Sequence, residues 1–98
     1  MRHSYFYSAA TVEYSVPSGA DAKAEIQAHL PKGDSSVKVT QKVNTTLYEI
    51  GVYDLDAQKA ADRANALAAT IRATLNDEAS GKKFKIWEKA QPAFYPER

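Results

Sequence analysis

SVKVTQKVNTTLYEIGVYDLDAQKAADRANALAATIRATLNDE, residues 36–78, decides the fold. In its first part Val37, Val39 and Val43 alternate with Lys38, Thr40 and Lys42, the period-2 pattern of a half-buried strand. A tight turn at Asn44-Thr45 follows, and TLYEIGVY then places Tyr48, Ile50 and Val52 on one side. The two segments read as a β-hairpin, although Asn-Thr is a weaker turn signal than Asn-Gly. From Ala57 to Glu78 the period changes. Ala60, Ala64, Leu67, Ala68, Ile71 and Leu75 form one stripe at helical spacing, and either Asp54 or Asp56 can cap the start. So many alanines make a flat packing face that allows close approach to a sheet.

Working outward, residues 5–16 alternate as a strand, with Ala10, Val12, Tyr14 and Val16 on one side and Thr11, Glu13 and Ser15 on the other. Pro17 ends it. Ser18-Gly-Ala-Asp21 fits a capping box, opening a short helix to about Leu30 with Ala22, Ile26 and Leu30 as its buried stripe. Pro31 and Gly33 stop that helix. On the other side, Ser80-Gly81 ends the long helix, and KKFKIWEKA resumes strand alternation with Phe84 and Ile86 inward. The tail QPAFYPER carries Pro92 and Pro96, and an extended irregular path is expected.

The order is βαββαβ. It predicts an α+β, ferredoxin-like domain: a four-stranded antiparallel sheet with both helices on one face and right-handed crossovers. Its first and last strands are then antiparallel neighbours, so the chain enters and leaves at the same edge. Residues 1–98 form one domain, with a compact core over about 5–90 and an extended tail at 91–98.

Ninety-eight residues suit one domain. Thirteen Lys and Arg against 12 Asp and Glu give a net charge of +1, which speaks against nucleic acid as the main partner. Without cysteine there is no disulfide, thiolate nucleophile or Cys-ligated zinc. No apolar run reaches the roughly 20 residues that cross a bilayer, and MRHSYFYS has no apolar signal core. As written, the chain is expected to be soluble.

Chemistry-bearing patterns are sparse. His3 and His29 have no His-x-x-x-His or acid-His spacing around them, so no metal is expected. The four glycines form no phosphate loop, and no cofactor is expected. The Ser and Thr residues have no base beside them in sequence. Asn65 is a lone polar residue among alanines. It fits an exposed position, a hydrogen bond to a neighbouring strand, or contact with a partner helix. The sheet face away from the helices carries Tyr7, Thr11, Glu13, Lys38, Thr40, Lys42, Glu49, Lys85, Trp87 and Lys89. It reads either as a solvated face with cross-strand charge pairs or as a contact surface built on Tyr7, Lys85, Trp87 and Lys89. A single-strand nucleic-acid platform is a third reading, but KKFKIWEKA lacks the Gly-aromatic spacing of an RNA-recognition strand.

VKVTQKVNTTLYEIGVYDLDAQKAADRANALAATI resembles the periplasmic base domain of the polysaccharide chain-length determinant (Wzz-type, polysaccharide co-polymerase) family. Thr46-Leu47 matches the family's strand-turn-strand element, Asp56 its capping acid, Ala60-Ala61 its small pair and Ala64-Asn65 its Ala-Asn step. YSAATVEY is similar to the strand after the first transmembrane helix, and KIWEKAQPAFYPER to the segment leading into the second. Two features depart from the pattern. The family's Asp-Pro helix start is Asp56-Ala57 here, and only NDEASGKK stands where long members insert a helical arm. The resemblance implies a non-enzymatic extracytoplasmic domain of a bacterial inner-membrane protein that regulates or assembles cell-envelope polysaccharide polymerisation or export. It also implies a homo-oligomer, with a polysaccharide, a polymerase or a cytoplasmic tyrosine kinase as further partners, and the membrane reached through flanking helices. Met1 is then an artificial start and Arg98 a cut before the second helix, while Tyr5, Phe6, Phe94 and Tyr95 become membrane-proximal anchors. The alternatives from the residues alone are a free-standing ferredoxin-like ligand-binding or regulatory module and, more weakly, an acylphosphatase-like enzyme. PSGADAK after the first strand does not supply the phosphate-binding loop such an enzyme needs.

Overall fold

A computed structural model of the protein describes residues 5–43 and 45–97. The elements run β1 (Phe6–Ser15), α1 (Ala22–Ala28), β2 (Val37–Gln41), β3 (Leu47–Asp54), α2 (Ala57–Leu75), a 3₁₀ turn (Glu78–Ser80) and β4 (Lys83–Glu88). All strand pairs are antiparallel, in the order β2-β3-β1-β4, as the βαββαβ reading requires. The even-numbered side chains of β1 face the helices: Ala10, Val12 and Tyr14 are fully buried, with Ile50 and Val52 beside them on β3. Ile26 of α1 and Ala64, Ala68 and Ile71 of α2 close the same core. Both helices therefore cover one face. Leu67, at the margin of the α2 stripe, is only half-buried, as are Val16, Leu30 and Ile86.

Several local expectations change. Asp21, not Ser18, caps α1, its carboxylate accepting from the Ala24 amide at 3.1 Å. β2 stops at Gln41, and Val43 is 83% exposed rather than part of the strand stripe. The chain already turns at Lys42, whose amide reaches the Leu47 carbonyl at 2.9 Å while its own carbonyl accepts the Thr45 hydroxyl. Asn44 of the expected turn lies outside the described residues.

α2 ends at Leu75 and not Glu78. Asn76 leaves the helix to accept the Phe84 amide, and Asp77 exchanges backbone hydrogen bonds with Lys82. A tertiary pairing thus outcompetes another helical turn. Gly81 closes the following 3₁₀ turn at φ +78°, a left-handed conformation that favours glycine. Asp56 is the α2 cap, accepting from the Gln58 and Lys59 amides, while Asp54 accepts from the Asp56 amide.

The tail is irregular but pinned. Asn65 clamps Ala90 from both sides: its side-chain amide donates to the Ala90 carbonyl (3.1 Å) and its oxygen accepts the Ala90 amide (2.7 Å). The Ser8 hydroxyl donates to the Gln91 carbonyl at 2.6 Å. Finally, the Glu97 amide donates to the Tyr5 carbonyl at 2.7 Å, so both ends of the described chain lie side by side. Of the three expectations for Asn65, a hydrogen bond to a neighbouring strand comes nearest, with the partner just beyond β4.

Candidate functional site

Two regions of the molecule carry side chains that the core does not consume. One is the edge where the ends meet. Between its anchors at Gln91 and Glu97 the chain holds Phe94 and Tyr95 out in water, 94% and 83% exposed. Tyr5 is exposed beside them. Phe6 differs. It occupies the helix-facing phase of β1 and is half-buried, so it is less available at this edge than Phe94 and Tyr95.

The other region is the open face of the sheet, which divides into two groups. Tyr7 packs on Tyr53 with ring centroids 4.7 Å apart, and the Lys38 ammonium lies 5.1 and 5.6 Å from the two centroids. The Tyr7 ring lies over Gly51, where a Cβ would collide with it; the missing side chain makes room for the ring. Burial pushes the Tyr7 hydroxyl up to about 12, with Glu49, Tyr53 and Glu97 adding to the shift. Tyr7 is therefore half-covered, serving a cross-strand cluster.

The second group surrounds Trp87. Thr11 pairs with Glu88 and Val12 with Ile86, so Trp87 is the extra residue at a register shift. Its side chain is outward, as its strand phase predicts, and 57% exposed. The indole N–H donates to Glu13 Oε1 at 3.0 Å, and the Thr46 hydroxyl donates to Glu13 Oε2 at 3.2 Å. Lys85 Nζ stands 5.3 Å from the indole centroid. Lys89 is exposed just beyond the strand. Tyr7 lies four residues along β1 from Thr11, roughly 13 Å at strand rise, so it and Trp87 belong to separate groups.

The remaining charged clusters tie elements together. Arg63 bridges Asp54 (3.1 Å) and Asp34 (3.2 Å) and also donates to the Ser36 hydroxyl, joining α2 to the end of β3 and the loop before β2. Hydrogen bonds from Ser36 hold the Asp34 carboxyl below its ordinary value, and the Asp56 amide does the same for Asp54, with Arg63 assisting both. Glu25 accepts from the Tyr14 hydroxyl at 2.8 Å and from Lys82 at 3.0 Å. Those bonds lower the Glu25 pKa, Lys82 contributing most, while burial and then Glu25 raise that of Tyr14.

A depression of about 430 Å³ lies between the start of α1 and the β2–β3 hairpin, lined by residues including Tyr14, Asp21, Gln41, Thr46 and Tyr48. His29 Nδ1 is 2.9 Å from the Glu25 carbonyl in its own helix, and His3 lies outside the described residues. Among the described residues no group of three or more His, Asp or Glu side chains is placed to hold a metal ion, and no helix is long and apolar enough to cross a membrane. No protein-family model, curated protein or solved structure matches the chain.

Sequence reasoning found Trp87, Lys85 and the aromatic edge from strand phase and the adjacency of the ends. It missed the pairing of Glu13 with the indole, which depends on the register shift, and the Tyr7–Gly51–Tyr53 packing. The signal for the latter was Gly51 within an otherwise strand-forming run.

Proposed function

We propose that this chain is a non-enzymatic extracytoplasmic domain of a bacterial inner-membrane protein, held by both ends at the membrane, that assembles or regulates cell-envelope polysaccharide polymerisation or export. The observation carrying this reading is the joined-end edge: Tyr5 and Glu97 are hydrogen-bonded while Phe94 and Tyr95 stand in water beside them. A phenylalanine held in water by a pinned backbone gains nothing there, whereas the boundary between headgroups and acyl chains takes up its ring and the amphipathic tyrosines. The non-enzymatic part is supported by the charged clusters, whose groups are engaged between elements of the fold. Such a domain acts by side-by-side contact with further copies. Its small surface makes that contact weak until membrane tethering raises the local concentration.

The depression between α1 and the hairpin favours a second reading, a free-standing ferredoxin-like module that binds a small ligand. The two separate in the cell. Deleting the gene is expected to alter the amount or length distribution of an envelope polysaccharide. Phe94→Ser with Tyr95→Ser in the full-length protein is expected to shift that distribution while the melting temperature of the 98-residue chain holds. Unchanged envelope polysaccharide in the deletion strain would sink the first reading.

A further inference from the structure

The indole of Trp87 is exposed yet oriented. Its N–H is held by Glu13, whose other oxygen is held in turn by Thr46, so the ring is fixed from β1 and from the loop residue just before β3. A fixed flat apolar surface of this kind meets a planar or chair-shaped ring with little ordering cost. Lys85 stands over it and Lys89 is exposed just beyond the strand, and neither forms an ion pair among the described residues. Glu88 and Glu13 are the acids nearby in strand register, and Glu13 is engaged by the indole.

We propose that Trp87, with Lys85 and the neighbouring Lys89, binds a pyranose unit of an acidic saccharide chain, its C–H face on the indole and its carboxylate on the Lys85 ammonium. The Lys85 ammonium decides between acidic and neutral sugars. It stands 5.3 Å from the indole centroid, where a stacking ring must displace it. A neutral sugar offers that cation only hydroxyl oxygens and no opposite charge in exchange. A carboxylate draws it outward into an ion pair and uncovers the ring. Nucleic acid fits less well, because stacking of successive bases needs a row of rings. Here the next aromatic group, Tyr7 with Tyr53, is remote and already packed under Lys38. This inference rests on the envelope reading only for where the saccharide comes from; the site itself rests on the open face.

Trp87 is the only tryptophan in the chain, so its emission reports the site directly. The 98-residue protein is titrated at low salt with a galacturonic-acid oligomer, a malto-oligosaccharide of equal length and a thymidine oligonucleotide. A saturable change with the galacturonate oligomer is expected, with none from the neutral sugar over the same range. Affinity should fall about threefold in Lys85→Ala, as an exposed charge contact allows, and fall again in high salt. No response to galacturonate, an equal response to the neutral sugar, or tighter binding of the oligonucleotide would each overturn the proposal. So would a Lys85→Ala protein that binds galacturonate as well as the parent. A failed titration alongside altered polysaccharide in the deletion strain removes this site alone; the reverse pair of results removes the envelope reading and leaves the site standing.

Discussion

The two faces of the sheet are built from alternate residues of the same four strands, yet they are held in different ways. On the closed face Val12, Tyr14, Ile50 and Val52 share one core with Ala61, Ala64 and Ala68 of α2, all buried. Position there is set by volume: alanine stems let α2 sit close, and no side chain has anywhere else to go. On the open face position is set by pairs, Tyr7 with Tyr53 under Lys38 and Trp87 with Glu13 beside Lys85. Each such contact is worth on the order of 1 kcal/mol or less at an exposed site. The closed face specifies the fold, and the open face is free to exchange its pairs for a ligand's.

The strongest way to break that contrast is to add volume where there is none. Ala64 is fully buried at the centre of the α2 stripe. Ala64→Leu is expected to lower stability by roughly 1–3 kcal/mol through overpacking, read as a reduced denaturant midpoint at unchanged slope. An undiminished midpoint would mean that α2 can lift from the sheet, and the closed face would lose its claim to rigidity.

Adding one carbon to the open face should cost less, because the obstacle there can move. A Cβ at Gly51 collides with the Tyr7 ring, a side chain able to swing out, and not with backbone. Gly51→Ala is therefore expected to cost about 1 kcal/mol, the loss of the Tyr7–Tyr53 and Lys38 contacts partly offset by a stiffer unfolded chain. Tyr7 supplies an independent readout. Its pKa is raised to about 12 from 10.0, so the native state holds the proton more tightly than the unfolded chain does. The stability this contributes is fully present below pH 10.0 and is lost as pH rises through about 12. With the ring swung into water, a residue-resolved NMR titration of the Tyr7 ring should show it titrating closer to 10.0. A Gly51→Ala protein whose Tyr7 still titrates near 12 would show that the ring does not lie where the packing puts it.

The closed face was legible in the sequence because its signals are periodic and local. Val37 and Val39, Tyr48 to Val52 and the alanine stripe each announce an element and the side it buries. What escaped was decided by residues far apart in the chain. Asn76 turns from the helix to Phe84, ending α2 three residues before Glu78, and nothing near Asn76 in sequence marks Phe84 as its partner. The Asn65 clamp announced itself only as a polar residue among alanines, one of whose expected roles was a bond to a strand; the Ala90 backbone is what it holds. At Ser18 two local signals competed. Asp21 won because its own carboxylate reaches the Ala24 amide, which starts the helix three residues later. The open face was legible to the level of which residues point outward, not to the level of which pair. Cross-strand partners depend on register, and the shift at Trp87 moves that register by one residue.

The smallest expected effect on folding belongs to Trp87, and it separates the two faces most cleanly. The indole is more than half exposed, and its polar anchor is one hydrogen bond to a solvent-exposed carboxylate. Removing it leaves no buried group unpaired and no cavity, the two usual sources of large destabilisation. Trp87→Ser should therefore change the unfolding free energy by about 0.5 kcal/mol or less, well below the cost at Ala64. The same substitution frees Glu13 Oε1 from the ring and removes the apolar surface that Lys85 leans on, so any binding function of the open face should disappear with it. Far-ultraviolet circular dichroism and the denaturant midpoint of Trp87→Ser, set beside those of Ala64→Leu, test this directly. If the tryptophan variant unfolds by several kcal/mol, the indole is holding the sheet together, and the open face is a second core instead of a surface able to trade contacts.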